Sequence, residues 1–202
     1  ARAGVQRLLD DPPPGPAALD RYLAAVSAGQ QGEPGHYPGS PQLVADALRP
    51  QDRFAACELQ LDEAAALKAL LAGDPRCHVH QRDGYAAVRA LLPPKDGATR
   101  LGRGLVLIDP PYEAQDEEYP RIVDTLREGL ARFPQAIFAV WYPIKKRPTL
   151  QPFFRRVAAL PAKSALAIEL LVRPDDSPLR MNGSGMLRLR APHVDQGSGG
   201  LT

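Results

Sequence analysis

The sequence predicts an α/β fold whose sheet is mostly parallel and carries a terminal antiparallel strand. Three observations predict it. From Ser40 onward strand-like and helix-like segments alternate, the rhythm of a parallel sheet with helical crossovers. The run Leu105 to Ile108 is aliphatic without interruption, as expected of a strand buried on both faces. The last two strand-like segments are joined by "RPDDSPLRMNGSG", too short for a helical crossover, so that pair is expected to be antiparallel.

The first 39 residues stand apart. "PAALDRYLAAV" is helix-patterned, whereas "DDPPPG" and "GQQGEPGHYPGS" are Pro/Gly-rich connectors, so residues 1–39 read as a small helical subdomain inserted on a core of residues 40–202. Ser40 before Pro41 marks a helix start for "PQLVADAL", a hydroxyl cap with proline at the first helical position. "RFAACEL" is a strand that ends at Glu58. Asp62 is placed to cap "EAAALKALLA", which Gly73 ends. "RCHVHQ" is the next strand, and Asp83 is placed to cap the helix "GYAAVRALL", stopped by Pro93 and Pro94. "GLVLI" then delivers Asp109. A long helix follows within Glu117 to Phe133, with Pro120 in its first turn, and "QAIFAVWYP" is a strand. "TLQPFFRRVAAL" is a helix from near Thr149, and the strands "SALAIELLV" and "GMLRLRA" bring the count to six. The tail "DQGSGGLT" has the composition of a mobile end.

A chain of 202 residues, 44% hydrophobic and 24% charged, is long enough to bury one sizeable core. A formal net charge of +2 permits a nucleic-acid partner without requiring one. No apolar run is long enough to span a bilayer, and "ARAGVQRLLDD" does not have the pattern of a secretory signal, so a cytoplasmic location is expected. Cys57 and Cys77 fall in separate strands and read as two inert buried thiols rather than a disulfide. In "CHVH" the strand period sends Cys77 and Val79 to one face and His78 and His80 to the other. That splits the ligands a zinc site would need, so no metal is expected.

Attention concentrates on "LVLIDPPYE". An acid at the carboxyl end of a parallel strand stands where open α/β sheets bind ligands. "DPPY" offers matched contacts to a planar base bearing an exocyclic amine. The Asp109 carboxylate accepts one N–H, and the Pro110 carbonyl, on a residue without a competing N–H, accepts the other. With both hydrogens held, the nitrogen can pyramidalise and direct its lone pair at an electrophile. Tyr112 supplies a flat face for the base, and the two prolines stiffen the turn. The plainer reading is a rigid turn after a strand, with Asp109 capping the segment beyond it.

"LIDPPY" resembles the catalytic motif of amino-directed, S-adenosylmethionine-dependent methyltransferases. With "YPGSP", "ACEL", "RDGY" and "AVWYPI" in this order and at these separations, the chain resembles the RlmJ family of bacterial 23S ribosomal RNA adenine N6-methyltransferases, over nearly its whole length to Met186. "DPPY" alone fits many amino methyltransferases; "YPGSP" together with "WYPI" is far more selective. The resemblance implies a Rossmann-like class I methyltransferase sheet, S-adenosyl-L-methionine as cofactor and 23S ribosomal RNA as partner. It implies catalytic roles at Asp109, Pro110 and Tyr112, with Asp109 also near the cofactor's reactive end.

The same resemblance carries cofactor contacts to Ser40, Glu58, Asp83 and Gly84. Glu58 ends a strand, where an acid can accept both ribose hydroxyls; a solvated carboxylate is the alternative. Asp83 would accept the amino group of the cofactor's adenine and Gly84 would let backbone approach it; capping a helix is compatible with that role. Ser40 marks a helix start able to receive a carboxylate, and plain N-capping is the alternative.

Family members open with a strand and a Gly-rich loop that wraps the methionyl moiety, and with histidine-containing segments; none precedes residue 40 here. That strand would lie between the ones ending at Glu58 and Asp109. The expectation is therefore that residues 1–202 are part of a longer protein, which the intact mass would test against 21.9 kDa.

Lys145, Lys146 and Arg147, with Arg155 and Arg156, follow the "WYP" strand tip on the same edge as Asp109. They can hold RNA phosphates or be an ordinary solvated loop. Trp141 and Tyr142 are assigned no direct role. Other targets for "DPPY" are a guanine amine of ribosomal RNA and an adenine of DNA. A non-catalytic RNA-binding module is the alternative from another class. A nicotinamide dehydrogenase lacks a G-x-G-x-x-G string and leaves "DPPY" unexplained. Oligomeric state is open in the sequence, and a monomer is the simplest expectation.

Overall fold

The computed structural model of the chain describes residues 5–29, 37–112, 115–174, 177 and 181–191. The expected mobile tail, most of the connector before Ser40 and part of the loop after residue 174 lie outside them. Contacts divide the chain into two compact units, residues 1–82 and 83–202.

The first unit holds α1 (Val5–Asp10), α2 (Ala17–Gly29), α3 (Ser40–Asp46), β1 (Phe54–Glu58), α4 (Leu61–Leu71) and β2 (Cys77–Gln81). Leu23 and Val26, three residues apart, bury one stripe of α2, the spacing of a single helix face. The strands β1 and β2 pair in parallel, with Phe54 opposite Cys77 and Cys57 opposite His80, and α4 connects them. The two thiols are thus not facing partners; both are free and partly buried rather than fully so. Burial pushes the pKa of each upward.

Two caps differ from expectation. Gly39, not Ser40, is the N-cap of α3, no side chain caps it, and Ser40 is the first helical residue. Gln60 is the N-cap of α4, and Asp62 lies inside its first turn, where an acid still favours the positive end of the helix dipole. In both cases the helix begins one or more residues earlier than the strongest capping side chain would place it.

The second unit contains α5 (Gly84–Leu91), the short strands β3 (Lys95–Asp96) and β4 (Thr99–Arg100), β5 (Gly104–Ile108), α6 (Gln115–Arg132), β6 (Ala136–Ile144), α7 (Gln151–Ala158), β7 (Ser164–Leu171) and β8 (Gly183–Arg190). The sheet order is β5-β6-β8-β7. The β5–β6 pair is parallel, and β8 runs antiparallel to both β6 and β7. The α/β class and the antiparallel last pair are as expected. Terminal in sequence, β8 nevertheless lies inside the sheet, between β6 and β7. The β3–β4 hairpin was not expected, because two residue pairs leave no periodicity to detect.

The core of this unit joins the sheet face bearing Ile108, Phe138, Val140, Leu187 and Leu189 to α6 and α7. In α6 the apolar residues Ile122, Val123, Leu126 and Leu130 share one face, and in α7 Phe153 and Val157 do so, as helical periodicity requires. Pro120 is the sixth residue of α6, not part of its first turn, because the helix starts at Gln115. Gly129 lets α6 lie directly on the Phe138 ring, and Gly185 lets Tyr142 cross β8; a Cβ at either place would overlap the ring.

The opposite face of the sheet differs from the expectation of burial on both sides. Leu105 and Leu107 are 69% and 45% exposed, and Leu166, Ile168 and Leu170 on β7 are exposed as well. The reason is geometric: alternation sends Val106 and Ile108 toward α6 and α7 and leaves Leu105 and Leu107 on the other face.

Candidate active site

In the second unit the candidate residues gather at the carboxyl end of β5 and the amino end of α5. Asp109 follows the last residue of β5 and is exposed. Among the described residues its carboxylate makes no hydrogen bond and no ion pair. Even so, the group is partly withdrawn from water, and that desolvation raises its pKa above the ordinary carboxylate range. A carboxylate that is desolvated yet unpaired is a costly arrangement, and it leaves its acceptor positions available to a ligand.

Pro110 is partly buried and Pro111 exposed. Tyr112 turns the chain at φ +54, a conformation that costs a non-glycine residue on the order of 1–2 kcal/mol. Local contacts hold it there. Its hydroxyl donates to the backbone carbonyl of Trp141, and its ring lies 5.7 Å from Tyr119 and 5.8 Å from Trp141. At 5% exposure the ring offers no open face, which corrects the expectation of a ready stacking platform. Burial drives its pKa strongly upward, so the phenol stays neutral. Trp141 acquires a structural role through its carbonyl.

Asp83 caps α5, its Oδ1 accepting from the Tyr85 N–H at 2.8 Å, as the sequence predicts. Its Oδ2 accepts from Arg121 at 3.0 Å. The Arg121 guanidinium also lies 4.4 Å from the centre of the Tyr85 ring, and the Tyr85 hydroxyl donates to Glu118. Asp83 is therefore held in one orientation, with each oxygen retaining a lone pair for another donor. Gly84 has open space around it: an added Cβ would meet nothing within 4 Å. The protein's own packing does not require glycine there.

Arg121, Glu118 and Tyr85 escaped the sequence reading. The only signal was the acid and base three residues apart in "EYPR", which predicts a local pair but not its attachment to Asp83, 38 positions away.

In the first unit, Glu58 ends β1 and its Oε1 accepts from the Gln60 N–H at 2.8 Å. One oxygen is thereby engaged locally, while no described donor contacts the other. Ser40 is exposed in the first turn of the seven-residue α3 and makes no capping bond.

The five cations divide. Lys145, Lys146, Arg155 and Arg156 are exposed and form no ion pair with described residues. Arg147 instead pairs with Glu169 at 2.8 Å, a carboxylate that also accepts from Tyr142 at 3.1 Å. Arg147 is thus compensated internally, contrary to its placement among free phosphate ligands. Buried Asn182 anchors this edge: its Nδ2 donates to the Lys145 carbonyl at 2.7 Å and its N–H to that of Ile144 at 2.8 Å. Among the described residues no His, Cys, Asp and Glu side chains cluster as metal ligands, and no helix is long and apolar enough to cross a membrane.

A family model described as "Ribosomal RNA large subunit methyltransferase D, RlmJ" matches residues 1–196. Two curated relatives carry the name ribosomal RNA large subunit methyltransferase J. The one from Haemophilus influenzae is 36% identical over 193 residues, covering 95% of this chain and 66% of the relative. The one from Escherichia coli is 35% identical over 178 residues, covering 88% and 61%. The chain thus spans slightly less than two thirds of the length of each. Among solved structures, protein LPL1258 from Legionella pneumophila superposes with a TM-score of 0.79 at 29% identity, covering 96% of this chain and 70% of that one.

Proposed function

This chain belongs to the RlmJ family of ribosomal RNA large subunit methyltransferases, and from that premise we propose that it transfers a methyl group from S-adenosyl-L-methionine to the N6 amine of an adenine in 23S ribosomal RNA. The observation that carries the reading is Asp109: a partly desolvated carboxylate without a partner among the described residues, at the tip of β5 and followed by the Pro-Pro-Tyr turn.

Taken one by one, three residues have features that suit the cofactor. Asp83 is pre-oriented by Tyr85 and Arg121 with acceptor capacity left for an adenine amine, Gly84 leaves open space beside it, and Glu58 retains an oxygen for a ribose hydroxyl. Ser40 is proposed as a further contact. S-adenosylmethionine, when bound, would supply an electrophilic methyl group.

The protein's part is positional. Asp109 and the Pro110 carbonyl accept the two N–H bonds of the target amine, which orients the nitrogen lone pair and disperses the positive charge that develops on it. The ionised Asp109 then accepts the proton that the alkylated amine releases. An adenine must leave its stack to reach this site, at a cost of a few kcal/mol unless it is already unpaired. The Tyr112 ring joins the base only by leaving its contacts with Tyr119 and Trp141. Lys145, Lys146, Arg155 and Arg156 hold RNA phosphates on the same edge. Residues 1–39 serve as a helical insertion on the catalytic core of residues 40–202, and the protein acts in the cytoplasm.

Labelled-methyl transfer to ribosomal RNA from cells lacking the protein, with nucleoside analysis of the product, tests the reading. Label in N6-methyladenosine is expected; label in a guanine, or none, overturns it. Calorimetric titration with S-adenosylmethionine separates an enzyme, which gives a binding isotherm, from an RNA-binding module, which gives none.

A further inference from the structure

The β3–β4 hairpin serves no purpose in the site described above. Gly97 turns it at φ +59, and the Leu101 N–H closes it on the Pro94 carbonyl at 2.9 Å. Its register sets Lys95 directly opposite Arg100. Like charges at facing positions destabilise a ladder, and a hairpin of two pairs has little packing to offset that. Both residues are exposed, as is Arg103 just before β5.

None of the three forms an ion pair with a described carboxylate. The helices α5 and α6 of the same unit behave differently. Arg89 and Arg132 bond Glu128, Arg121 bonds Asp83, and Arg127 bonds Asp124. Cations on α5 and α6 are compensated within the protein, while those on the hairpin, like Arg155 and Arg156 on α7, are exposed without a described carboxylate partner. Such a surface suits a polyanion, which would relieve the Lys95–Arg100 repulsion on binding.

We propose that the hairpin, through Lys95, Arg100 and Arg103, is a second phosphate-contact surface for RNA, lying at the opposite end of β5 from Asp109. It rests on the reading of RNA as the partner. The five residues of β5 separate the two ends by about 17 Å, so the hairpin holds backbone flanking the target nucleotide rather than that nucleotide itself.

The test is a filter-binding titration of protein-free 23S ribosomal RNA over roughly 50 to 200 mM salt, with wild type and the triple variant Lys95→Gln, Arg100→Gln, Arg103→Gln. Removing three single-strand phosphate contacts is expected to flatten the slope of log K against log salt by about 2, making the affinity loss about twentyfold larger at the lower salt than at the higher. Thermal melting of the variant is expected to be no lower than that of wild type, since repulsion is removed. Lys68→Gln, on α4, serves as a control with unchanged slope. A triple variant that keeps the wild-type slope overturns the inference alone and leaves the acidic surface of a protein as the hairpin's counterpart. A loss equal at both salt concentrations overturns it too. A wild-type protein that binds no RNA overturns the proposed function with it.

Discussion

Asp109 combines two properties that pull against each other: it must be ionised to accept an amine, and its surroundings disfavour ionisation. Its folded pKa lies above the unfolded value of about 3.9. Between those two values the folded state binds more protons than the unfolded chain, so stability falls as pH rises through the window and the deficit persists at neutral pH. Activity has the opposite dependence and is lost as pH falls through the folded pKa. The acid limb of the kcat/KM profile is therefore expected above about pH 4, and a limb at the free-aspartate position would count against the role. Asp109→Asn should melt higher than wild type at neutral pH. Asp109→Ala should lose on the order of a hundredfold or more in turnover, by analogy with removing one transition-state hydrogen bond. Near-normal turnover would exclude the assigned chemistry. Gly84 gives a second separation of fold from function. Gly84→Ala fills open space in the first turn of a helix, so folding should be unchanged or stabilised by up to about 1 kcal/mol. Calorimetry is expected to show weaker cofactor binding, because the new methyl occupies the approach to the backbone.

Between elements, two polar ties run along the α5–α6 pair. One joins Asp83, Tyr85, Glu118 and Arg121; the other joins Arg89 and Arg132 to Glu128. Arg89 first, then Arg132, hold the Glu128 carboxyl down to about 2, although both arginines are well exposed and the tie orients the helices more than it stabilises them. Apolar contact supplies the stability. Gly129 in α6 faces Phe138 in β6 so closely that a methyl group has nowhere to go. Gly129→Ala should cost about 1–3 kcal/mol through overpacking, despite the better helix propensity of alanine. A denaturant midpoint equal to wild type would show that α6 can shift without loss. Helices were legible as elements, but their first residues were less so. Ser40 and Asp62 are strong capping types that became first-turn residues, and α6 begins at Gln115, ahead of its expected start at Glu117. A capping side chain contributes about 1 kcal/mol, which backbone geometry set by neighbouring strands can override.

Over the molecule as a whole, a net charge of only +2 conceals an uneven surface. Carboxylates neutralise the arginines of α5 and α6, whereas Lys145 and Lys146 on the Asp109 edge, and Arg155 and Arg156 on α7, form no ion pair with described residues. If this edge holds RNA, replacing Lys145 and Lys146 with glutamine should flatten the salt dependence of binding by about 1.5, and Arg147→Gln should change it less, since Glu169 already compensates that charge. Equal effects from all three positions would mean that the Arg147–Glu169 pair opens on binding.

By itself the sequence determined the alternation of strands and helices, the antiparallel last pair, the acid at the tip of β5, the cap at Asp83 and the family. These arise from local periodicity, turn chemistry and short motifs, which neighbouring residues specify among themselves. Only the tertiary structure decided that β8 enters between β6 and β7, that Tyr112 turns inward to Trp141, that Arg121 holds Asp83, and that Arg147 is spent on Glu169. Each of these joins residues more than twenty positions apart, or strands not consecutive in the chain, where the partner is chosen by packing and charge compensation that no short stretch of sequence encodes.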